Sequence, residues 1–197
     1  HAAMMEGRSE VAIAATERME AEVPEPFLRA WPQMGDGLMT ARLHALIRFG
    51  RWDEVLAVPE YPSWRKASTA MRAYARTVAL ANLGRVEEAR AELATFRKAA
   101  ERTPEDWMIG ANPASVIYGL ADLLAAGEVL WREGETEAAY AKLREAVAYE
   151  DGLVYDEPPG WMIPVRHALG AVLLAGGEAA EAEQVYRADL EDNRENA

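Results

Sequence analysis

The stretch that decides the fold is LADLLAAGEVLWREGETEAAYAKLREA, residues 120–146. Apolar residues recur every three or four positions on both sides of Gly134, a spacing that predicts two amphipathic helices. A glycine directly after the last periodic residue is a common helix stop. The stretch therefore predicts two helices joined by a short turn at Gly134.

The same turn recurs along the chain, as a glycine followed by polar residues and then a small or apolar one. It occurs as GRSEVA at Gly7, GRWDEV at Gly50, GRVEEA at Gly84, GETEAA at Gly134 and GEAAEA at Gly177. The intervals between these glycines are 43, 34, 50 and 43 residues. A repeating unit of one size, lengthened by insertions, explains these intervals.

A second stretch, RHALGAVLLAGGEAAEAEQVYRADL at residues 166–190, has the same arrangement of apolar and small residues. Gly127 and Gly170 hold equivalent positions in the first helix of their pairs. Because a glycine has no side chain, we expect two helices to approach closely at each of these positions.

The two stretches resemble the tetratricopeptide repeat (TPR) family, whose unit is a helix, a turn and a second helix with a 34-residue period. The resemblance implies an all-α fold, a right-handed solenoid of antiparallel helix pairs with a concave inner surface. It covers residues 1–197 as a single domain of about five units around the five glycines. Insertions, and Pro59 in the second helix of the Gly50 unit, make the expected solenoid irregular.

Composition limits the partners and the compartment. Lys and Arg number 21 against 33 Asp and Glu, for a net charge of −12, so nucleic acid is not an expected partner. No cysteine is present, which excludes disulfides and thiolate chemistry. Apolar runs are short, so no membrane span is expected and the prediction is a cytoplasmic protein. The chain begins with His1 rather than Met, which we interpret as a fragment of a longer protein without its native N-terminus.

The resemblance also predicts which side chains line the concave surface. In this family the first helix of each pair faces inward, at about thirteen, ten, six and two to three residues before the turn glycine. We call these positions the inner stripe, and all three histidines, including His1, fall on it. Its candidate ligand-contacting residues are His44, Arg48, Tyr74, Asn82, Glu128, Trp131, Arg132 and His167.

The segment YDEPPGWMIPVRH, residues 155–167, is the least regular part of the chain. Pro158 and Pro159 force extended backbone, and Pro164 suits the first turn of the next helix. We therefore predict a stiff bridge between two helices, either the wall of a binding site or a plain structural connection.

Rigidity of the bridge would hold Tyr155, Glu157 and Trp161 at the edge of the concave surface, as further candidate contacts. We expect Arg166 to pair with Asp156 or Glu157. This tyrosine, acid, two-proline and tryptophan string resembles one in bacterial tetratricopeptide proteins of unassigned function, and the resemblance favours a binding site.

Three functions are compatible with these features. The first is a protein-interaction scaffold that binds a peptide or protein segment in its concave groove. The second is a small-molecule or metal-binding protein, with a possible enzymatic role, which uses a pocket on the same face. His44, Glu128 and His167 are the ligand types of a two-histidine, one-carboxylate metal site. Packed helices lie about 8–10 Å apart, too far for side chains on separate repeat units to bind the same metal ion. We therefore expect no metal or cofactor. The third is a purely structural role, as a spacer or an oligomerisation element.

Overall fold

The fold is mainly helical, as predicted. The computed structural model describes residues 1–192, so the last five residues of the predicted domain lie outside the described part. The helices are α1 Ala2–Met5, α2 Ser9–Glu22, α3 Glu25–Ala30, α4 Pro32–Leu38, α5 Ala41–Arg48, α6 Trp52–Ala57, α7 Lys66–Asn82, α8 Val86–Glu101, α9 Ala114–Arg132, α10 Thr136–Glu150, α11 Val165–Ala175 and α12 Ala179–Asp192.

The five predicted turns share one backbone geometry. Each of the five glycines has a positive φ, between 63° and 92°, a conformation that favours glycine. At Gly134 the backbone N–H of Glu135 donates to the Leu130 carbonyl at 3.0 Å, and the glycine N–H donates to the Trp131 carbonyl at 3.1 Å. The other four turns have the same pair of hydrogen bonds. All five are Schellman motifs, which end one helix and start the next.

Helices joined by these turns pack as hairpins, and each hairpin packs against the next one along the chain. The buried apolar residues form a core that continues from Met4 to Ala182. A Cβ added to Gly127 would lie 2.8 Å from the Leu143 side chain, and one added to Gly170 would lie 2.5 Å from the Tyr186 ring. The predicted close approach at both glycines is therefore confirmed.

Three insertions account for the longer intervals between turn glycines. The short helices α3 and α4 separate α2 from α5. Before α9 the chain forms a two-stranded antiparallel ribbon, β1 Met108–Ile109 and β2 Asn112–Pro113, a small departure from the all-α prediction. The bridge between α10 and α11 spans residues 151–164, so the last three residues of the segment 155–167 already belong to α11. Helix α6 ends two residues before Pro59, as expected.

The α3–α4 insertion is anchored to the core by a buried carboxylate. Asp36 is fully buried, and Arg65 Nε donates to it at 2.8 Å. The backbone N–H of Ser68, in the first turn of α7, donates to the same carboxylate at 3.1 Å. Asp36 therefore satisfies a free N–H at the start of α7, where a negative charge is favourable.

Helix α9 is an exception to the short apolar runs expected from the sequence. It is long and apolar enough to cross a membrane by length and composition, with a mean hydropathy of 1.4 over its candidate window. However, 56% of that window is buried inside the fold, against α7, α8 and α10. This burial is typical of a core helix.

Candidate functional site

Two adjacent acids fix the start of the bridge: Glu150 is the last residue of α10, and Asp151 follows it. Both carboxylate oxygens of Glu150 accept the Val165 backbone N–H, at 3.1 and 2.9 Å. Asp151 accepts two hydrogen bonds from the Arg166 guanidinium, at 2.6 and 2.9 Å. Pro164 caps α11 and precedes its first turn, which corrects the predicted position.

The predicted partners of Arg166 are also wrong. Arg166 pairs with Asp151, because the end of α10 packs beside the start of α11 and brings these residues together. Asp156 and Glu157 lie further along the bridge. Asp156 accepts the backbone N–H of Ala111 at 2.7 Å, and Glu157 accepts the Tyr155 hydroxyl.

The ribbon before α9 holds the middle of the bridge. Asn112 Nδ2 donates to the Val154 carbonyl at 3.0 Å, and the Val154 N–H donates back to Asn112 Oδ1 at 2.9 Å. Gly160 packs so closely on the ribbon that an added Cβ would lie 2.6 Å from the Ile109 carbonyl oxygen. The predicted stiffness of the bridge thus comes from the ribbon as well as from its prolines.

Trp161 is the bridge residue that contacts side chains of the inner stripe. Its side chain is 4% exposed and contacts His44 on α5 and Tyr74 on α7, with ring centroids 5.0 and 5.3 Å apart. Both contacts are edge-on. His44 and Tyr74 are each 1% exposed, so neither can contact a partner while Trp161 is in place.

Burial also decides the charge of His44. It lowers the pKa of His44 to about 4, so the ring is neutral at physiological pH. Within residues 1–192 neither ring nitrogen has a hydrogen-bond partner, and the same is true of the Trp161 indole Nε1. Buried polar groups without partners are rare and cost stability, so this contact is held by packing.

A second group of predicted residues does come together. Asn82 Nδ2 donates to Glu128 at 3.3 Å, and Arg132 donates to Asn82 Oδ1 at 2.6 Å. Burial raises the pKa of Glu128, and Arg132 and the Asn82 hydrogen bond oppose this shift. Trp131 stacks on the Tyr140 ring of α10 at 6.2 Å and contributes to packing within the hairpin.

His167 and Arg48 interact with residues of helix α12. His167 Nε2 is 2.9 Å from Asp189 of α12, and its ring lies edge-on to Tyr186. Arg48 is partly buried, and its charge opposes the raised pKa that burial gives Tyr186. Residues 1–192 contain no group of three or more His, Asp or Glu side chains that could hold a metal, so the three candidate ligands form no metal site there.

A cleft of about 730 Å³, which we call the bridge cleft, lies beside these residues. The bridge forms most of its wall, and His1, two residues of α1, Asn112 of the ribbon and residues from the ends of α10 and α12 and the start of α11 complete it. Its size suits a small ligand or a few residues of a peptide. The lining side chains include Glu150, Tyr155, Asp156, Glu157, Trp161 and Arg166.

Glu150 is the functional candidate that the sequence did not reveal. Burial raises the pKa of Glu150 to about 7, and the negative charges of Asp151 and Asp189 act in the same direction. The Val165 N–H and the charge of Arg166 oppose the shift. A carboxyl group with this pKa can bind or release a proton near neutral pH.

One sequence signal could have drawn attention to Glu150. Glu150 and Asp151 are consecutive acids at the C-terminal end of α10, where the helix dipole disfavours negative charge. An acid in such a place is expected to have a partner elsewhere in the fold, and here it is the N-terminus of α11.

The residues of the bridge that were predicted as contacts differ in their exposure. Tyr155 is 80% exposed and lies on the cleft wall with Glu157. Trp161 also lines the cleft, but its side chain is buried. Comparison with family models, curated proteins and solved structures finds no match.

Proposed function

We propose that the chain is a tetratricopeptide-like interaction module, a right-handed solenoid of helix pairs that binds a segment of a partner protein. Support for the solenoid comes from five Schellman turns of one geometry and from the packing of each hairpin on the next. Helix pairs that contact mainly their neighbours along the chain are typical of repeat proteins.

The binding site in this proposal is the bridge cleft. The observation that carries it is the immobilised wall: an exposed segment that is tied down at Glu150, Asp151, Asn112 and Trp161 and encloses about 730 Å³. Binding costs less when the site is already ordered, because fewer side chains and loops lose freedom. The exposed Tyr155 on this wall is the kind of residue that often anchors protein contacts.

The part of the inner stripe around His44 and Tyr74 is a weaker candidate. Trp161 already fills the space next to these side chains, as a ligand would. Another part of the stripe is the polar group of Asn82, Glu128 and Arg132, of which only Arg132 is exposed. A partner at this group is the alternative that the experiment below separates from the cleft.

A second function is favoured by one observation, the pKa of about 7 at Glu150. A carboxyl group with that pKa in a cleft can act as a general acid or base, so the cleft could also take a small molecule and transfer a proton. In the described structure this group is occupied by the Val165 N–H, which supports a structural and binding role first.

The test uses a phage-displayed library of random dodecapeptides panned on the immobilised chain. Selected peptides are synthesised, and their affinity is measured by isothermal titration for the wild type, Tyr155→Ala and Arg132→Ala. We expect Tyr155→Ala to weaken binding about tenfold, the usual effect of removing an aromatic anchor, and Arg132→Ala to leave it unchanged.

Two results would contradict the proposal. The absence of any enriched peptide would argue against an interaction module. Peptides that lose affinity with Arg132→Ala and keep it with Tyr155→Ala would move the site to the inner stripe. Circular dichroism of both variants shows whether the fold is intact.

A further inference from the structure

The α3–α4 insertion presents a row of large apolar side chains to solvent. We call this row the insertion stripe. Its members lie three or four positions apart, and each is between 53% and 62% exposed: Phe27, Trp31, Met34 and Leu38. Single apolar residues on a surface are common, whereas a contiguous apolar patch often marks a contact with another molecule.

The insertion holds this stripe in a fixed shape. Gly35 of α4 packs so closely on α3 that an added Cβ would lie 2.9 Å from the Leu28 side chain and 3.8 Å from the Phe27 ring. Leu28 is buried, and the buried carboxylate of Asp36 ties α4 to the start of α7. A surface that is already ordered loses little freedom when it binds.

An open groove of about 510 Å³ adjoins one end of the stripe, where α2 meets α3. Phe27 lines it, together with Met19 and Val23 and the charged Arg18 and Glu22. Trp31 follows Phe27 by one helical turn, since its backbone N–H donates to the Phe27 carbonyl at 3.1 Å. The surface therefore has a projecting aromatic side chain and, beside it, a partly apolar groove of the kind that receives one.

The charges around the stripe allow a second copy of the chain to approach. The net charge of −12 makes two copies repel each other in general. Within the insertion, however, Glu25 and Arg29 pair with each other at 2.6 Å, and Asp36 is buried. At the groove, Arg18 and Glu22 are both exposed and have opposite charges. The insertion is thus a nearly neutral part of an acidic surface.

The apolar area suits one side of a dimer. Large side chains have about 150–250 Å² of surface each, so the exposed part of the stripe amounts to roughly 400 Å². An interface of ordinary size buries about 800 Å² on each partner, of which somewhat more than half is apolar. The stripe and the apolar part of the groove together provide about that much.

We infer that the insertion stripe is the interface of a homodimer, in which two copies pack their stripes together about a twofold axis. A twofold interface uses the same surface on both subunits, so that surface must be complementary to itself. Trp31 and the groove meet this requirement, because each copy can place its Trp31 in the groove of the other. Arg18 and Glu22 meet it as well, since each can pair with the opposite charge across the axis.

A second copy explains more of the surface than a peptide does. A short peptide in the groove would leave Trp31 and Leu38 in water, whereas a second copy covers the whole stripe. None of the four stripe residues lines the bridge cleft, so the dimer goes beyond the proposed function and does not depend on it.

The experiment measures sedimentation velocity of the chain from about one to several hundred micromolar. We expect a dimer with a dissociation constant in the micromolar range or tighter, as is usual for interfaces of this size. Trp31→Ala and Leu38→Glu should each raise this constant at least tenfold, because one removes an aromatic anchor and the other places a charge in an apolar contact. Circular dichroism shows whether each variant keeps its fold.

Leu174→Glu is the matched control for Leu38→Glu. Leu174 is 57% exposed against 53% for Leu38, and both lie at or near the C-terminal end of a helix. The control therefore makes the same chemical change at the same exposure outside the stripe, and it should leave the dissociation constant unchanged.

Charge reversal tests the twofold arrangement itself. Arg18→Glu sets acids against acids across the axis and should weaken the dimer several-fold, and adding Glu22→Arg to that variant should restore the affinity. An unchanged affinity with Arg18→Glu, or a double variant as weak as the single one, would overturn the twofold packing.

Three other results would overturn the inference. The first is a wild type that stays monomeric over the whole range. The second is a dimer that keeps its affinity in Trp31→Ala and Leu38→Glu, or loses it equally in Leu174→Glu, because the interface would then lie elsewhere. The third is a monomer that binds phosphatidylcholine vesicles or a display-selected peptide and loses that binding with Leu38→Glu, which would assign the stripe to a lipid surface or to another protein.

Discussion

Replacing Glu150 with Gln should change how the stability of the protein depends on pH. The folded pKa of Glu150 is about 7, whereas its ordinary value is 4.5. Between these two values the folded state binds more protons than the unfolded state, so Glu150 makes the protein less stable as pH rises. Its contribution is fully present below pH 4.5 and is lost as pH rises through 7. Glutamine cannot ionise, so Glu150→Gln removes this loss and keeps an acceptor for the Val165 N–H.

The size of the effect follows from the two pKa values. Each pKa unit corresponds to about 1.4 kcal/mol, so the difference between 4.5 and about 7 corresponds to roughly 3 kcal/mol. A domain of ordinary stability unfolds at a cost of about 5–15 kcal/mol, so a change of this size is easily measured. The effect should develop mostly between pH 5 and pH 8.

The assay is urea unfolding of wild type and Glu150→Gln at half-unit steps from pH 4.5 to pH 8.5. We expect the variant to gain about 2–3 kcal/mol on the wild type from the lowest to the highest pH, at an unchanged slope against urea. The exposed Glu87→Gln should follow the wild type throughout. Parallel curves for Glu150→Gln and wild type would refute the reasoning, because Glu150 would then have an ordinary pKa.

Three further changes test other parts of the fold. The wild type should lose about 3 kcal/mol of stability as pH falls from 6.5 towards 4, because protonation of His44 favours the unfolded state, and His44→Phe should remove this loss. If urea unfolding shows the same loss of stability at acidic pH in the variant, the prediction is contradicted. Asp36→Ala should cost about 3–5 kcal/mol, because it leaves the charge of Arg65 without its buried partner, and a melting temperature within a few degrees of wild type would argue otherwise. Gly170→Ala should cost about 1–3 kcal/mol, since its Cβ would overlap the Tyr186 ring, and a neutral result in thermal unfolding would disprove the close packing of α11 on α12.

The hairpins could be predicted from the sequence because their signals are local. A turn glycine such as Gly134 ends its helix through hydrogen bonds to residues three to five positions earlier, so the pattern is complete within one segment. Gly127 and Gly170 are similar, because the helix they contact follows within about twenty residues.

The burial of inner-stripe residues could not be predicted in the same way. The inward direction of His44 and Tyr74 is a property of their own helices. Their burial is due to Trp161, which lies more than eighty residues further along the chain and arrives on an insertion that the repeat pattern does not describe. The ribbon that positions this insertion has strands of only two residues, too short to show a strand period.

The same reason hides Glu150 and the true partner of Arg166. Both depend on how the end of α10 meets the start of α11, after a bridge whose path is set by distant contacts. The candidates that stand together in the structure, Asn82, Glu128 and Arg132, are those whose helices α7 and α9 pack directly against each other.

The central claim, that partners bind in the bridge cleft, is tested most directly by site-specific photocrosslinking. A benzophenone-bearing amino acid replaces Tyr155 in one protein and Arg132 in another, and each is irradiated with a peptide selected by display. The account predicts a crosslinked product with the probe at position 155 and little or none at position 132. Crosslinking at position 132 alone would place the partner on the inner stripe and contradict the account.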